Sequence, residues 1–367
     1  MEEEPTYHVQ FIDGASSFEF TSTSSILRPD DYHPSSAPHI VSAAVAEVYG
    51  NPDAPVTIRI GNGGLGPTGL LQALCSAYIS QRCQPPQSDK GESGASDLKF
   101  EWVCNHSRHT QAALQAGVVD VALTYEREEE DRAEKEGWSR RVGVLCHDHF
   151  VLAGPNSDPA GLRRLRQKRA VTNASNAKGT RTLSPSVAFK VIADTRSPFH
   201  TRGDGSATMH REQSLWSAAG VSPGESPHDG GDGGWYKRLP CTPLEALRAA
   251  DAEGAYLLTD RATVLLAYHT GEVRNLDVFV EGAEELLSPC SILLRSDEKR
   301  NEVMDFVKWL GGQDAQTVVE QYGRGWEAGI PLFTPISQAE VAPGDEFAHQ
   351  QREKHGRPGA SFHRSRL

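Results

Sequence analysis

No stretch of 18 apolar residues occurs in this 367-residue chain, which excludes a membrane-spanning helix. Basic residues are also in the minority. Thirty-seven Lys and Arg face 49 Asp and Glu, for a net charge of −12. No basic stripe interrupts that balance, so nucleic acid is not an expected partner. An acidic chain that binds an anion must do so locally, through a few arginines, hydroxyls and backbone N–H groups. The six cysteines (75, 83, 104, 146, 241 and 290) form no C-x-x-C pair and are scattered. They read as mostly buried free thiols of a reducing compartment. The start, MEEEPTYHVQFIDG, lacks the basic end and apolar centre of a signal peptide. As it stands the sequence reads as cytoplasmic, or as secreted if a leader is missing.

What the chain does have is glycine placed with care. The stretch VTIRIGNGGLGPTGLLQAL, residues 56–74, sets Gly61, Gly63 and Gly66 as G-x-G-x-x-G between a strand-like and a helix-like run. That is the spacing of a dinucleotide fingerprint, which also needs an acid at the end of the next strand, about 20 residues on. Here the next strand comes later and ends Val103-Cys104-Asn105-His106, without an acid, and Pro67 sits where backbone should approach a pyrophosphate. Two other readings remain: a plain tight turn, or a small-anion loop whose N–H groups point inward at a helix N-terminus.

The pattern along the chain predicts β-α-β-α-β: a strand over 56–60, a helix from about 68, strands over 98–104 and 118–124, and a helix over 109–116 between these two. That order argues for a parallel sheet. In the first helix Leu71, Leu74, Cys75, Tyr78 and Ile79 repeat as a buried face. Residues 39–49 read as a short helix, and the acidic run 126–137 as a solvated helix or loop. A strand is expected over 142–153, a basic helix in 160–200, helices over 243–253 and 262–269, and strands over 255–259, 277–280 and 291–295. A last helix carries Val303, Phe306, Val307 and Leu310 on one face.

Two further loops could hold charge. Thr201-Arg202-Gly203-Asp204-Gly205-Ser206-Ala207-Thr208 precedes an amphipathic helix, and Gly220 suits its C-terminal cap. An arginine, two glycines and two hydroxyls at a helix start make an oxyanion cradle, or simply a well-capped helix. Thr259-Asp260-Arg261 follows an apolar strand and opens another helix, as an anion site or an ordinary N-cap. His147 and His149, or His106 and His109, could each give two metal ligands, but no third is evident. Ser206 and His210 lie four apart on one helix, and no acid that would orient the imidazole is identifiable. No catalytic or metal residue is therefore assigned. Sequons stand at Asn105 and Asn173, and the tryptophans read as packing residues.

From about residue 56 to 335 the chain resembles the tungstate-binding protein (TupA-like) family of the type II periplasmic-binding-protein superfamily. The resemblance is carried by TGLLQAL, HDHFVLAGPNSDPAGL, PFHTRGDGSATMHREQSLWSAAG, GAYLLTDRATVLL, VEGAEELLSPCSILL, VMDFVKWLGG and GIPLFTP, in that order. It implies an α/β fold of two lobes joined by two crossover segments, with a ligand cleft between them. Residues 39–150 plus 290–335 would form lobe 1 and 151–289 lobe 2, with a polar N-terminal arm at 1–38 and a disordered tail at 336–367. It implies a non-enzymatic binder of a small tetrahedral oxyanion, tungstate or molybdate, without a cofactor. Carried over, the ligand-binding residues are Asn62, Gly63, Gly64, Thr68, Arg202, Ser206, Thr208 and Arg261. Where the family has a Thr-Thr-Thr-Ser type loop, this chain has Gly61-Asn62-Gly63-Gly64, so N–H groups replace hydroxyls. The alternative is the same fold with a changed ligand, an organic phosphate, nucleotide or carboxylate, in an intracellular binder or sensor. No protein partner is indicated.

Overall fold

The computed structural model describes residues 7–12, 17–22, 39–82, 97–172, 183–203, 206–224, 234–239, 241–326 and 331–336. The sequon at Asn173, Cys83, Asp204, Gly205, most of the 223–234 insert and the tail lie outside these. The first three strands, β1 (Tyr7–Ile12), β2 (Ser17–Ser22) and β3 (His39–Ser42), form a small sheet in the order β2-β1-β3. The stretch expected to be an arm thus contributes two strands.

The parallel unit is present as expected. Strands β5 (Val56–Gly61), β6 (Leu98–Val103) and β7 (Val121–Thr124) pair in parallel, with α1 (Leu70–Arg82) and α2 (Ser107–Gln115) as the crossovers. Leu71, Leu74, Cys75 and Tyr78 of α1 are buried, and Ile79 packs against the same core half-exposed. The last strong helix, α9 (Asn301–Leu310), buries Val303, Phe306, Val307 and Leu310 as its period predicts. Between the two helices the rings of Tyr78, Phe100 and Phe306 meet at centroid distances of 4.5–6.0 Å.

Residues 39–49 are not helical. They form β3 and β4 (Val45–Gly50), and β4 closes the sheet edge antiparallel to β6. The alanine-rich spacing suits a helix, but ladder pairing with β1 and β6 decides the outcome. The acidic run does form a helix, α3 (Arg127–Lys135), yet it is not wholly solvated. Glu129 and Glu130 are buried, where Arg108, Arg132 and Arg141 pair with them.

Among the described residues the large sheet has eleven strands, and β8 (Ser139–Pro155) is its spine. Up to His149 it pairs with β13 (Leu287–Arg295), and from Phe150 on with β11 (Tyr256–Asp260). Two strands join this spine from the side, β12 (Leu276–Val280) and β14 (Thr334–Pro335). Beyond β11 lie β9 (Phe199–Thr201) and β10 (Tyr236–Arg238), both parallel to their neighbours. One α/β lobe is thus built on β4–β7 and the other on β9–β11. β8 carries the chain from the first to the second, and the start of β13 brings it back. Packed on the second lobe are α4 (Leu162–Thr172), α5 (Pro185–Asp194), α6 (Ala207–Ala218), α7 (Pro243–Glu253) and α8 (Arg261–His269), while α10 (Gln313–Gln321) follows α9 on the first. The second lobe has its own core around Phe189, Phe199 and Trp216, whose centroids lie 4.5–5.6 Å apart.

Candidate functional site

The three fingerprint glycines are demanded by packing. A Cβ on Gly61 would come within 2.8 Å of the Thr110 methyl, and one on Gly63 within 2.6 Å of the Asn105 carbonyl oxygen. On Gly66 it would fall 2.7 Å from Cη2 of the Trp102 indole and closer still to two other ring atoms. None of the three has a positive φ. The indole cannot easily yield, because its Nε1 donates to the Asn62 carbonyl at 2.8 Å. The spacing therefore records how closely β5 and its loop approach β6 and α2.

Asn62 folds the loop from within. Its amide Nδ2 donates to the Leu123 carbonyl at 2.8 Å, and its Oδ1 accepts the N–H groups of Leu65 and Gly66. The Thr68 hydroxyl donates back to the Leu65 carbonyl at 3.0 Å. Both side chains are buried. Among the described residues the N–H groups of Gly63 and Gly64 donate to no protein acceptor.

These two glycines open onto a cleft of about 800 Å³. On the first-lobe side its wall includes Asn105, His106, Ser107, His109 and Tyr125, and on the second-lobe side Arg202, Ser206, Ala207 and Thr208. Among the described residues four helix N-termini reach it, those of α2, α6, α7 and α8, and they differ in how their N–H groups are used. The N-cap Thr242 of α7 forms a complete capping box with Glu245, and Asp260 caps α8 by accepting from the Thr263 N–H at 2.7 Å. The N-caps of α2 and α6, His106 and Ser206, make no side-chain capping bond. An uncapped helix start leaves first-turn N–H groups and the positive end of the dipole for a ligand. Ser107 Oγ accepts from the Tyr125 N–H at 3.1 Å, which leaves its own proton to donate into the cleft.

The Arg-Gly-Asp stretch aims Arg202 at this point. Gly203 has φ +65°, and a Cβ there would lie 2.6 Å from the Arg238 side chain, so only glycine suits the turn. Two sulfur contacts anchor it: the Thr201 hydroxyl and the Gly203 N–H both reach the Met209 sulfur, at 2.9 and 3.1 Å. Among the described residues Arg202 is the one arginine or lysine on the wall. The wall also has Asp148, Glu245 and Asp260. Glu245 and Asp260 serve as caps, and burial, helped by nearby Asp260, holds the Asp148 carboxyl well above the usual carboxylate range.

Of the eight expected ligand residues the structure brings five to the cleft: Gly63, Gly64, Arg202, Ser206 and Thr208. Asn62, Thr68 and Arg261 do not line this cleft, and their side chains bond within the protein. Arg261 is 4% exposed and donates from Nη2 to the Leu332 carbonyl and the Thr334 hydroxyl, at 3.3 and 3.2 Å. Thr334 also meets His149 Nε2 at 2.9 Å. This contact ties His149 into the interlobe crossing, and burial lowers its pKa to about 3. Among the described residues no group of three or more His, Cys, Asp or Glu could hold a metal ion. The sequence reading missed Ser107 and Tyr125. The usable signal was the carboxyl ends of β6 and β7, the two neighbours of β5, where sites in such sheets form.

A family profile described as a PBP superfamily domain matches residues 88–313, more than half of the chain. A protein of Haloferax volcanii, provisionally named an ABC transporter anion-binding protein, is 29% identical over 248 residues. That match covers 64% of this chain and 63% of the relative's own length. The tungstate-binding protein TupA of Peptoclostridium acidaminophilum is 30% identical over 236 residues, covering 62% of this chain and 72% of TupA. A crystal structure of a periplasmic protein, titled provisionally as metal-binding, superposes with a TM-score of 0.61 at 28% identity. It covers 79% of this chain and 98% of its own. By its fold, its profile match and its relatives, the chain belongs to the periplasmic-binding-protein (PBP) superfamily and, within it, to the tungstate-binding protein family.

Proposed function

We propose that the chain binds a small tetrahedral oxyanion, tungstate or molybdate, between its two lobes, and that it does so as a binder and not an enzyme. The observation that carries this reading is the contrast among the helix ends in one cleft. The start of α7 is closed by the Thr242–Glu245 capping box and that of α8 by the Asp260 carboxylate, whereas those of α2 and α6 lack a side-chain cap and are accompanied by Gly63, Gly64 and Arg202. All these groups are donors. A dianion that carries only acceptors suits them better than a protonated phosphate, whose own O–H would lack an acceptor. We assign 39–150 plus 290–335 to one lobe and 151–289 to the other, with closure as a hinge motion about β8 and β13. Closure would bring Arg202, Ser206 and Thr208 toward Gly63, Gly64 and Ser107.

The energetics suffice. A charge-assisted hydrogen bond nets about 1.5–3 kcal/mol, so five or six give roughly 8–18 kcal/mol before the costs of binding. Micromolar affinity needs about 8 kcal/mol. Calorimetry of the full chain against tungstate, molybdate, sulfate, phosphate and ATP tests the reading. Tungstate or molybdate should bind, and Arg202→Ala should weaken that binding by roughly 10- to 150-fold. Binding of ATP in place of the inorganic anions would favour a changed ligand, and indifference to Arg202→Ala would refute the site.

A further inference from the structure

We propose that His106 and His109 form a proton-taking subsite, which supplies the bound dianion with its second positive charge. The inference rests on the oxyanion reading above and deepens it. A dianion in this cleft meets one fixed cation, Arg202, among the described wall residues. Arg108, between the two histidines in sequence, is turned into the protein, where it is buried and paired with Glu126 at 2.7 Å and Glu129 at 3.4 Å. The two imidazoles lie on the cleft wall at the open start of α2, with ring centroids 3.7 Å apart and planes 35° from parallel. Gly63 packs beside them, its Cβ position 3.3 Å from the His106 Cα, so the rings border the loop whose N–H groups face the cleft.

An imidazole gains or loses its proton near neutral pH, and a neighbouring anion favours the charged form. Two imidazolium rings in contact repel each other, and the dipole of α2 also disfavours cations at its start. Without the anion, both effects work against a positive charge on the pair. A bound dianion reverses that balance for one proton, while repulsion keeps the second off. The other titratable groups on the same wall are Asp148, Glu245, Asp260, Cys104, Cys241 and Tyr125. Glu245 and Asp260 are already committed to the starts of α7 and α8, and burial holds the Asp148, Cys104 and Tyr125 protons in place. Elsewhere, burial keeps His147, His149 and His200 neutral and so removes them as proton acceptors.

The consequence is linkage: uptake of up to one proton with each oxyanion, and affinity that falls as pH rises. The test is calorimetry of the full chain with tungstate from about pH 6.5 to 8.5, in two buffers of different ionisation enthalpy. The expected result is buffer-dependent heat equivalent to a fraction of a proton, with Kd rising with pH by less than tenfold per unit and levelling off at the alkaline end. In His106→Gln/His109→Gln, and more weakly in His109→Gln alone, both the uptake and the pH dependence should shrink. Kd should then rise about tenfold at pH 6.5 and little at pH 8.5, with the melting temperature confirming a folded protein. Wild-type binding that is insensitive to pH and buffer, or variants that keep the full dependence, would overturn this inference and leave the oxyanion reading intact. No oxyanion binding at any pH would overturn both.

Discussion

Replacing Ser206 by aspartate turns the open end of α6 into a closed one, and the structure gives stability and binding opposite signs. Ser206 is already the N-cap residue, at φ −73° and ψ 168°, without a side-chain bond to the helix. A carboxylate there has the same relation to the Met209 N–H as Asp260 has to the Thr263 N–H in α8, a bond of 2.7 Å. Capping and the helix dipole together should add about 0.5–1 kcal/mol to stability. Against a bound dianion the new charge is unfavourable. At about 4 Å and an effective dielectric of about 20, two unit charges interact by roughly 4 kcal/mol, so a carboxylate and a dianion repel by about 8 kcal/mol. That loss is comparable with the whole binding free energy of a micromolar ligand. Ser206→Asp should therefore melt at or above the wild-type temperature and show no measurable tungstate binding by calorimetry. Ser206→Ala, which removes only a hydroxyl donor, should weaken binding by about tenfold at most. If Ser206→Asp raised the melting temperature yet bound tungstate within threefold of wild type, the ligand could not lie at the start of α6.

Two neighbouring glycines should separate fold from function. Gly66→Ala drives a methyl into the tethered Trp102 ring and should cost about 3 kcal/mol, read as a lower urea midpoint. Gly64→Ala meets only the Tyr125 ring and hydroxyl at 3.3 Å or more, so the fold should survive while tungstate affinity falls, because the methyl enters the cleft. At the crossing, His149 titrates near 6.5 when unfolded and about 3 when folded. Its contribution is therefore fully present above pH 6.5 and is lost by about 1.4 kcal/mol per unit as pH falls toward 3. Glu126, which burial raises to about 7, works in the opposite direction: its contribution is present below 4.5 and is lost as pH rises to 7. The net curve mixes the two, so the check is a difference. The stability gap between wild type and His149→Gln should narrow steadily between about pH 6.5 and 4.5, and a constant gap would remove the assignment.

How much of the fold was legible depended on whether a segment's fate was decided locally. The helix over 243–253 could be placed to the residue because Thr242, Pro243, Glu245 and Gly254 are all terminal signals, and all four act as such. Val303, Phe306, Val307 and Leu310 were legible because one face meets one core. Residues 39–49 were not, since their state is set by pairing with strands distant in sequence, and β6 lies about 50 residues away. The three-residue strands Phe199–Thr201 and Tyr236–Arg238 have no period to read, and they exist only as neighbours in the sheet. In α3 the carboxylates of Glu129 and Glu130 look like surface charge until Arg108 and Arg141, from other elements, are seen to reach them.

The site was half legible for a related reason. Asn62, Thr68 and Arg261 are the residue types an anion needs, beside the loops an anion uses. Sequence does not say whether such a side chain faces the ligand or satisfies the loop that does. Here a loop that exposes the Gly63 and Gly64 N–H groups must bend sharply, and the bend needs acceptors and donors of its own. Asn62 supplies three of them and the Thr68 hydroxyl another. The spacing G-x-G-x-x-G carries the same ambiguity. In a dinucleotide site its glycines serve a tight turn, close phosphate approach and helix packing. In this chain Gly61, Gly63 and Gly66 meet Thr110, Asn105 and Trp102, and Gly63 with Gly64 also lines the cleft that a ligand could use. Such a motif reports that backbone and neighbour come close. Whether that neighbour is protein or ligand is decided by the second loop, and here the second loop brings Arg202 and the open start of α6 to the same cleft.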